Sequence, residues 1–157
     1  MYIETPLGIA KISGDQEGIA EISVLEDEHT TPTPINEMPN YLKLAAIQLK
    51  EYFNGSRTSF DLKLQPQGTP FQKKVWNALL DIPYGRTRTY SEQTKHLGDI
   101  KAIRAVANAN GKNPLWIVVP CHRVVGSDGS LTGYAGGISR KKWLLEHESG
   151  SKQQSLF

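Results

Sequence analysis

The residues best able to do chemistry stand together at Pro120-Cys121-His122-Arg123-Val124, directly after the apolar Ile117-Val118-Val119. Cys121 is the one cysteine of the 157-residue chain. A thiol reacts as its thiolate, so a nucleophilic cysteine needs a base or a positive charge nearby. His122 and Arg123 supply candidates for both. Pro120 fixes the backbone entering the motif. In an extended strand neighbouring side chains point apart, so a water relay between sulfur and imidazole is one solution. A lone thiol also serves as a small inert core residue, and the motif alone leaves that alternative open. One cysteine excludes an intramolecular disulfide and a multi-cysteine metal cluster within the chain, and it suits a reducing cytoplasm.

The elements that must position this motif are legible in outline. Tyr2 to Leu25 spaces Ile3, Ile9, Ile12, Ile19, Ile22 and Val24 among polar residues, with turn signals at Pro6-Leu7-Gly8 and Gly14-Asp15, which predicts an antiparallel meander. Residues 26–39 read as a loop. Leu42, Ala45, Leu49 and Tyr52 give a helix over 41–53, stopped by Asn54-Gly55. Phe60 to Leu64 alternates like a strand, and 65–68 reads as a linker. Thr69-Pro70 starts a helix with Phe71, Val75, Leu79 and Ile82 on one face. Residues 91–97 and 100–110, joined by Gly98-Asp99, form a helix-turn-helix candidate. Ile100, Ile103 and Ala107 are expected inward, with Lys101, Arg104 and Asn108 outward. Leu115 to Val119 is a buried strand or extended segment. Ser127 to Ser130 is a turn. A last helix runs from Ser139 to Gly150 with Trp143, Leu144 and His147 on its apolar side.

Composition narrows the function classes. Hydrophobic residues make up 38% and charged residues 22%, enough for a folded core. The longest apolar runs are too short to cross a bilayer, and the polar start of the chain predicts no secretory signal. The net charge of +2 divides unevenly. Residues 1–69 carry five basic and ten acidic residues, whereas residues 70–157 carry thirteen basic and six acidic. A basic second half suits a partner of negative charge, of which nucleic acid is the usual one, or simply an unevenly charged surface.

The Pro120–Val124 motif resembles that of the O6-alkylguanine-DNA alkyltransferases. Further segments carry the same resemblance at family spacing across residues 70–149: Ile82-Pro83-Tyr84-Gly85, Thr89-Tyr90, Arg104-Ala105-Val106, Asn113-Pro114, Gly133 to Gly137, and Trp143 to Glu148. The resemblance implies an α/β N-terminal domain (1–66, a small antiparallel sheet plus helix). A mainly helical, winged-helix-like C-terminal domain with a helix-turn-helix (70–150) follows, and then a flexible tail (151–157). It implies repair of DNA by direct reversal. One alkyl group passes from O6-alkylguanine, and also from O4-alkylthymine, to Cys121 after the base is flipped out, once per protein and without cofactor.

By the same resemblance His122 is the base acting through a water, Glu148 orients it, and Asn113 holds the surroundings of the cysteine. Tyr90 assists the leaving guanine and contacts the flanking phosphate. Arg104 fills the space left by the flipped base, with Ala105 and Asn108 also on the DNA. Tyr134, Val124 and Ala135 line the substrate pocket. Ala107-Asn108 stands where relatives carry glycines, which implies tighter steric limits at the groove. Some relatives hold a structural zinc in the first domain; with His29 as the only histidine there and no cysteine, no metal is expected. The protein is expected to be a monomer. Gln153 to Phe157 resembles the short peptides that dock on bacterial sliding clamps. The rival readings are a non-catalytic alkyl-damage-binding protein, against which Cys121 speaks, and a winged-helix regulator, which would need sequence-specific DNA binding.

Overall fold

The computed structural model describes residues 1–26, 29–131, 134 and 137–149. In the first unit, residues 1–67 and 114–118, three strands form the expected antiparallel meander: β1 (Tyr2–Thr5), β2 (Gly8–Asp15) and β3 (Gly18–Val24), in that order. Period-two alternation puts Ile3, Ala10, Ile12 and Ile22 in the core. The register runs Ile3↔Ala10 and Ile12↔Ile22, with a bulge at Ser13/Gly14. A Cβ at Gly14 would lie 2.4 Å from the Gly18 carbonyl oxygen, so only glycine fits that bulge. The helix α1 (Asn40–Phe53) lays Leu42, Ala45, Ala46, Leu49 and Tyr52 against the sheet.

Residues 60–64, expected as a strand, contribute a single bridge to β3, Ile19↔Leu64. Residues 115–119, expected as a buried strand or extended segment, are buried and make one bridge, Ile22↔Leu115, before the chain turns. Gln48 holds the first of these segments by accepting from Asp61 N–H at 2.9 Å and donating to its carbonyl at 3.1 Å. The second, 114–118, is shared with β3 through Ile22 and groups with the first unit although it lies within the sequence of the second.

The second unit, residues 68–113 with the chain from 119 onward, is mainly helical. A capping box between Thr69 and Gln72, with Pro70 at the first turn, starts α2 (Pro70–Leu79). The same device, Thr89 with Glu92, starts α3 (Tyr90–Leu97), which Gly98 ends at φ 108. Asp99 caps Lys101 N–H and begins a tight 3₁₀ turn (Ile100–Ala102) before α4 (Ile103–Gly111). These helices pack on one another. Trp76 Nε1 donates to the Ala109 carbonyl at 2.8 Å, and Gln93 and Asn110 exchange two buried amide bonds of 2.9 and 2.7 Å across α3 and α4. A two-strand parallel pair, β4 (Arg88–Thr89) with β5 (Val124–Val125), and the helix α5 (Ile138–Ser149) complete it. The fold is the expected one, an α/β unit followed by a helical unit with a helix-turn-helix.

Three helix faces differ from the expectation. The 3₁₀ turn shifts the phase ahead of α4, so Ile100 is 46% exposed and the buried side of α4 is Val106, Ala109 and Asn110, with Ile103 and Ala107 half-buried. Phe71, at the first turn of α2, is exposed. In α5 the buried row is Lys141, Leu144 and Glu148, while Trp143 and His147 stack on each other half-buried at 4.9 Å. Among the described residues no helix is long and apolar enough to cross a membrane.

Candidate active site

The chain enters the site through two anchors. Asn113, just past the end of α4, donates from Nδ2 to the Val119 carbonyl at 2.7 Å and to Cys121 Sγ at 3.3 Å. Cys121 then opens a 3₁₀ turn, Cys121–Arg123. All three side chains of the turn are buried. Cys121 faces Asn113. His122 and Arg123 both reach α5.

That meeting point is Glu148. His122 Nε2 lies 2.6 Å from Glu148 Oε2. Arg123 donates from Nε to Oε1 at 2.7 Å and from Nη2 to Oε2 at 3.0 Å, and its Nη1 donates to the Ile82 carbonyl at 2.7 Å. The Arg123 guanidinium also sits over the Tyr84 ring, 5.8 Å from its centre. Arg123 was a candidate for activating the thiol; the structure uses its charge on Glu148 instead. A planar guanidinium fork matches a carboxylate well, which locks the acid in one orientation.

The electrostatics follow from this packing. Burial alone would raise the Glu148 carboxyl, but the His122 and Arg123 contacts outweigh it and hold it down to about 2. Burial pushes His122 down, against the pull of Glu148, so the ring is neutral. A neutral imidazole beside an ionised carboxylate carries its proton on Nε2, which donates to Glu148, leaving a lone pair on Nδ1. Nδ1 is buried and makes no hydrogen bond with the described residues. The arrangement therefore presents a neutral base of fixed tautomer next in sequence to the thiol.

Burial pushes the Cys121 thiol up, and two neighbours oppose it: the Asn113 amide and the charge of Lys141. Lys141 was not singled out from the sequence. It is fully buried, with Nζ 5.8 Å from the centre of the Tyr90 ring and 5.9 Å from that of Tyr134. Burial lowers its own pKa, and the Cys121 charge raises it. The signal was present in the spacing: Lys141, Leu144 and Glu148 are three and seven residues apart, one face of a helix that already carried Glu148.

The remaining residues fall into two groups. Tyr90, half-buried at the start of α3, and Tyr134 share the Lys141 ammonium, and Val124 is buried in β5 beside them in sequence to the motif. Ala135 lies outside the described residues, as does Gln153 to Phe157. Arg104, Ala105 and Asn108 are all exposed on α4 and face solvent together. Lys101 and Lys112 flank them, also exposed, and neither these lysines nor Arg104 makes an ion pair among the described residues.

Residues 70–150 match the DNA-binding domain of the 6-O-methylguanine DNA methyltransferase family, and residues 1–66 match its ribonuclease-like domain. The chain is 48% identical over 147 residues to the methylated-DNA–protein-cysteine methyltransferase of Methanosarcina acetivorans, covering 92% of this chain and 94% of the relative. It is 45% identical over 160 residues to that of Mycobacterium tuberculosis, covering 98% and 94%. Two crystal structures of the Mycobacterium tuberculosis protein are similar throughout. The O6-methylguanine methyltransferase superposes with a TM-score of 0.82 at 44% identity, covering 94% of this chain and 90% of that one. The structure in complex with DNA superposes with a TM-score of 0.83 at 46% identity, covering 94% and 91%.

Proposed function

The chain belongs to the 6-O-methylguanine DNA methyltransferase family, and from that membership we propose which of its residues carry the reaction. It repairs DNA by direct reversal, as a methylated-DNA–protein-cysteine methyltransferase. Cys121 is the acceptor. Its thiolate attacks the alkyl carbon on O6 of guanine. A sulfur–carbon bond forms, the carbon–oxygen bond breaks, and the electron pair returns to the guanine. The product thioether is stable, so each chain acts once.

The observation that carries this reading is the row Asn113, Cys121, His122, Glu148, of which the last three are buried and Asn113 half-buried. Nδ1 of His122 takes the thiol proton through a water. Glu148, held by Arg123, keeps the imidazole in the tautomer that can do so. Asn113 steadies the sulfur. Tyr90 offers its hydroxyl to the departing guanine, whose negative charge it disperses, and contacts the phosphate beside the flipped nucleotide. Tyr134, Val124 and Ala135 line the pocket for the base. Because the target oxygen is inside the duplex, the base is flipped out, and Arg104 takes its place in the stack with Ala105 and Asn108 against the groove. O4-alkylthymine presents the same exocyclic alkyl ether and is accepted as well. No cofactor is needed, since the thiol is itself the acceptor.

The protein acts as a monomer in the cytoplasm, where its one thiol stays reduced. Gln153 to Phe157 tethers it to a sliding clamp through Leu156 and Phe157; clamp affinity unchanged by deleting those two residues would remove this part.

The reading is tested by mixing the protein with a duplex bearing O6-methylguanine and weighing the chain. One methyl group at Cys121, and none in Cys121→Ala, is the expected result. Repeated turnover, or DNA binding with no gain in mass, overturns it.

A further inference from the structure

We infer that Ile117 helps to place the nucleophile: the backbone of Ile22 in β3 holds it in a strained left-handed turn, and that turn sets the course of the chain into Cys121. The inference rests on the reading of Cys121 as the alkyl acceptor.

Ile117 has φ 73 and is the one non-glycine residue with positive φ among the described residues. A β-branched side chain is strongly disfavoured there. The Val118 N–H donates to the Trp116 carbonyl at 2.8 Å, closing a γ-turn centred on Ile117. With φ near +75° this is the rare, strained form of that turn. Three residues on, the chain turns again. Pro120, at φ −83 and ψ 63, is the centre of an inverse γ-turn closed by Cys121 N–H on the Val119 carbonyl at 2.8 Å. The nucleophile thus sits at the end of two successive γ-turns, the first of them strained.

Strain of this kind persists only where the surroundings over-determine the backbone, and it gathers at functional sites. Here the restraints are visible on both sides of Ile117. Upstream, the Ile22 N–H donates to the Pro114 carbonyl at 2.8 Å, and the Ile22 carbonyl accepts from the Trp116 N–H at 2.9 Å. Both backbone groups of Ile22 are spent on this segment. The Ile117 side chain is itself buried, so it cannot swing out to relieve the turn. Downstream, Asn113 Nδ2 holds the Val119 carbonyl and reaches Cys121 Sγ. If Ile117 relaxed to a negative φ, the chain would leave Val118 in a new direction. Val119 and Cys121 would then move off the Asn113 amide. Ile22 and Ile117 are positioning residues on this account, and neither touches the reacting atoms.

The test compares Ile117→Gly with Ile117→Ala. Both delete the buried side chain, but glycine adopts φ 73 freely and alanine does not. The readouts are thermal melting, the pH profile of Cys121 alkylation by iodoacetamide, and the single-turnover rate on an O6-methylguanine duplex. Ile117→Gly should melt above Ile117→Ala, the reverse of the usual order for these residues, and should keep the wild-type pH profile. Ile117→Ala should titrate at higher pH, because the Asn113 bond that favours the thiolate is displaced, and should transfer methyl at least about tenfold more slowly. Lys141, His122, Arg123 and Glu148, the charged and titratable groups around the sulfur, are unaltered in both. Ile22→Pro, which removes the donor to Pro114, should behave like Ile117→Ala, and Ile22→Val like wild type. Equal melting of the two Ile117 variants, or a shared wild-type pH profile, overturns the proposal. Because iodoacetamide needs no DNA, a wild-type protein that reacts with it but not with the duplex would sink the acceptor reading alone.

Discussion

His122 Nε2 stands 2.6 Å from Glu148 Oε2, with both side chains sealed from solvent and Arg123 gripping the same carboxylate from its other side. The carboxylate therefore has two tasks: it neutralises a buried guanidinium and fixes the histidine tautomer. Glu148→Gln removes the charge that both tasks use. The amide keeps the shape but leaves Arg123 without a counter-charge, and breaking such a pair costs about 3–5 kcal/mol. Methyl transfer should slow by roughly a hundredfold, since general-base assistance contributes ~10²–10⁴. Single-turnover kinetics on the O6-methylguanine duplex measure it, and a full-rate variant would mean that the tautomer is not controlled by Glu148.

The same carboxylate makes stability depend on acid. Its pKa is about 2 in the folded chain against an ordinary 4.5. A depressed acid stabilises the fold fully above its unfolded value and loses that contribution as pH falls through the folded one. Wild type should thus lose on the order of 3 kcal/mol between about pH 4.5 and pH 2, while Glu148→Gln shows no such loss over that window. Denaturant melts at stepped pH read it directly; parallel curves for the two proteins would refute the assignment.

Lys141 offers a prediction on the thiol itself. Its charge favours the Cys121 thiolate, and it is caged by Tyr90 and Tyr134. Lys141→Met should shift the pH profile of iodoacetamide alkylation upward and slow transfer at neutral pH. Lys141→Arg, which keeps the charge on a bulkier head, should fall between. A profile that does not move in Lys141→Met would show that the ammonium serves packing alone.

Asn113 bridges the Val119 carbonyl and the sulfur. Asn113→Ala removes one of the two donors to that carbonyl, leaving the Cys121 N–H, and should cost about 1 kcal/mol. Asn113→Asp is the sharper variant. It puts a like charge against the thiolate, so its alkylation profile should lie above that of Asn113→Ala. The reverse order would show that the amide matters to the loop and not to the sulfur.

Much of this site was legible in the sequence because its parts sit in short local patterns. The Thr69-Pro70 start, the Gly98 stop and the meander turns each report on a few neighbours, and they place the start of α2, the end of α3 and β1 to β3. Cys121, His122, Glu148 and Asn113 came from a motif resemblance spread over eighty residues, and the geometry brings them together. What stayed hidden depends on tertiary partners. Lys141 reads as a surface charge beside Arg140 and Lys142 until α5 is seen to bury its own row. Residues 115–119 read as a buried strand or extended segment because they are apolar; they are buried, but Ile22 offers them only one bridge and Ile117 turns the chain away. The phase error at Ile100 came from a 3₁₀ turn that period counting cannot register.

Arg104 tests the exposed face of α4 without touching the core. It is exposed, makes no ion pair among the described residues, and lies with Ala105 and Asn108 on one side of the helix. Arg104→Ala should leave melting and iodoacetamide reactivity unchanged, because neither uses that face. Methyl transfer from the duplex should fall sharply, as the flipped base is no longer held out. If Arg104 also neutralises a phosphate, the slope of log affinity against log salt should decrease by about one. The decisive comparison is between substrates. A short single strand carrying O6-methylguanine has no stack to refill, so the variant should approach the wild-type rate on it while remaining slow on the duplex. An equal loss on both strands would move Arg104 from base extrusion to general DNA attraction.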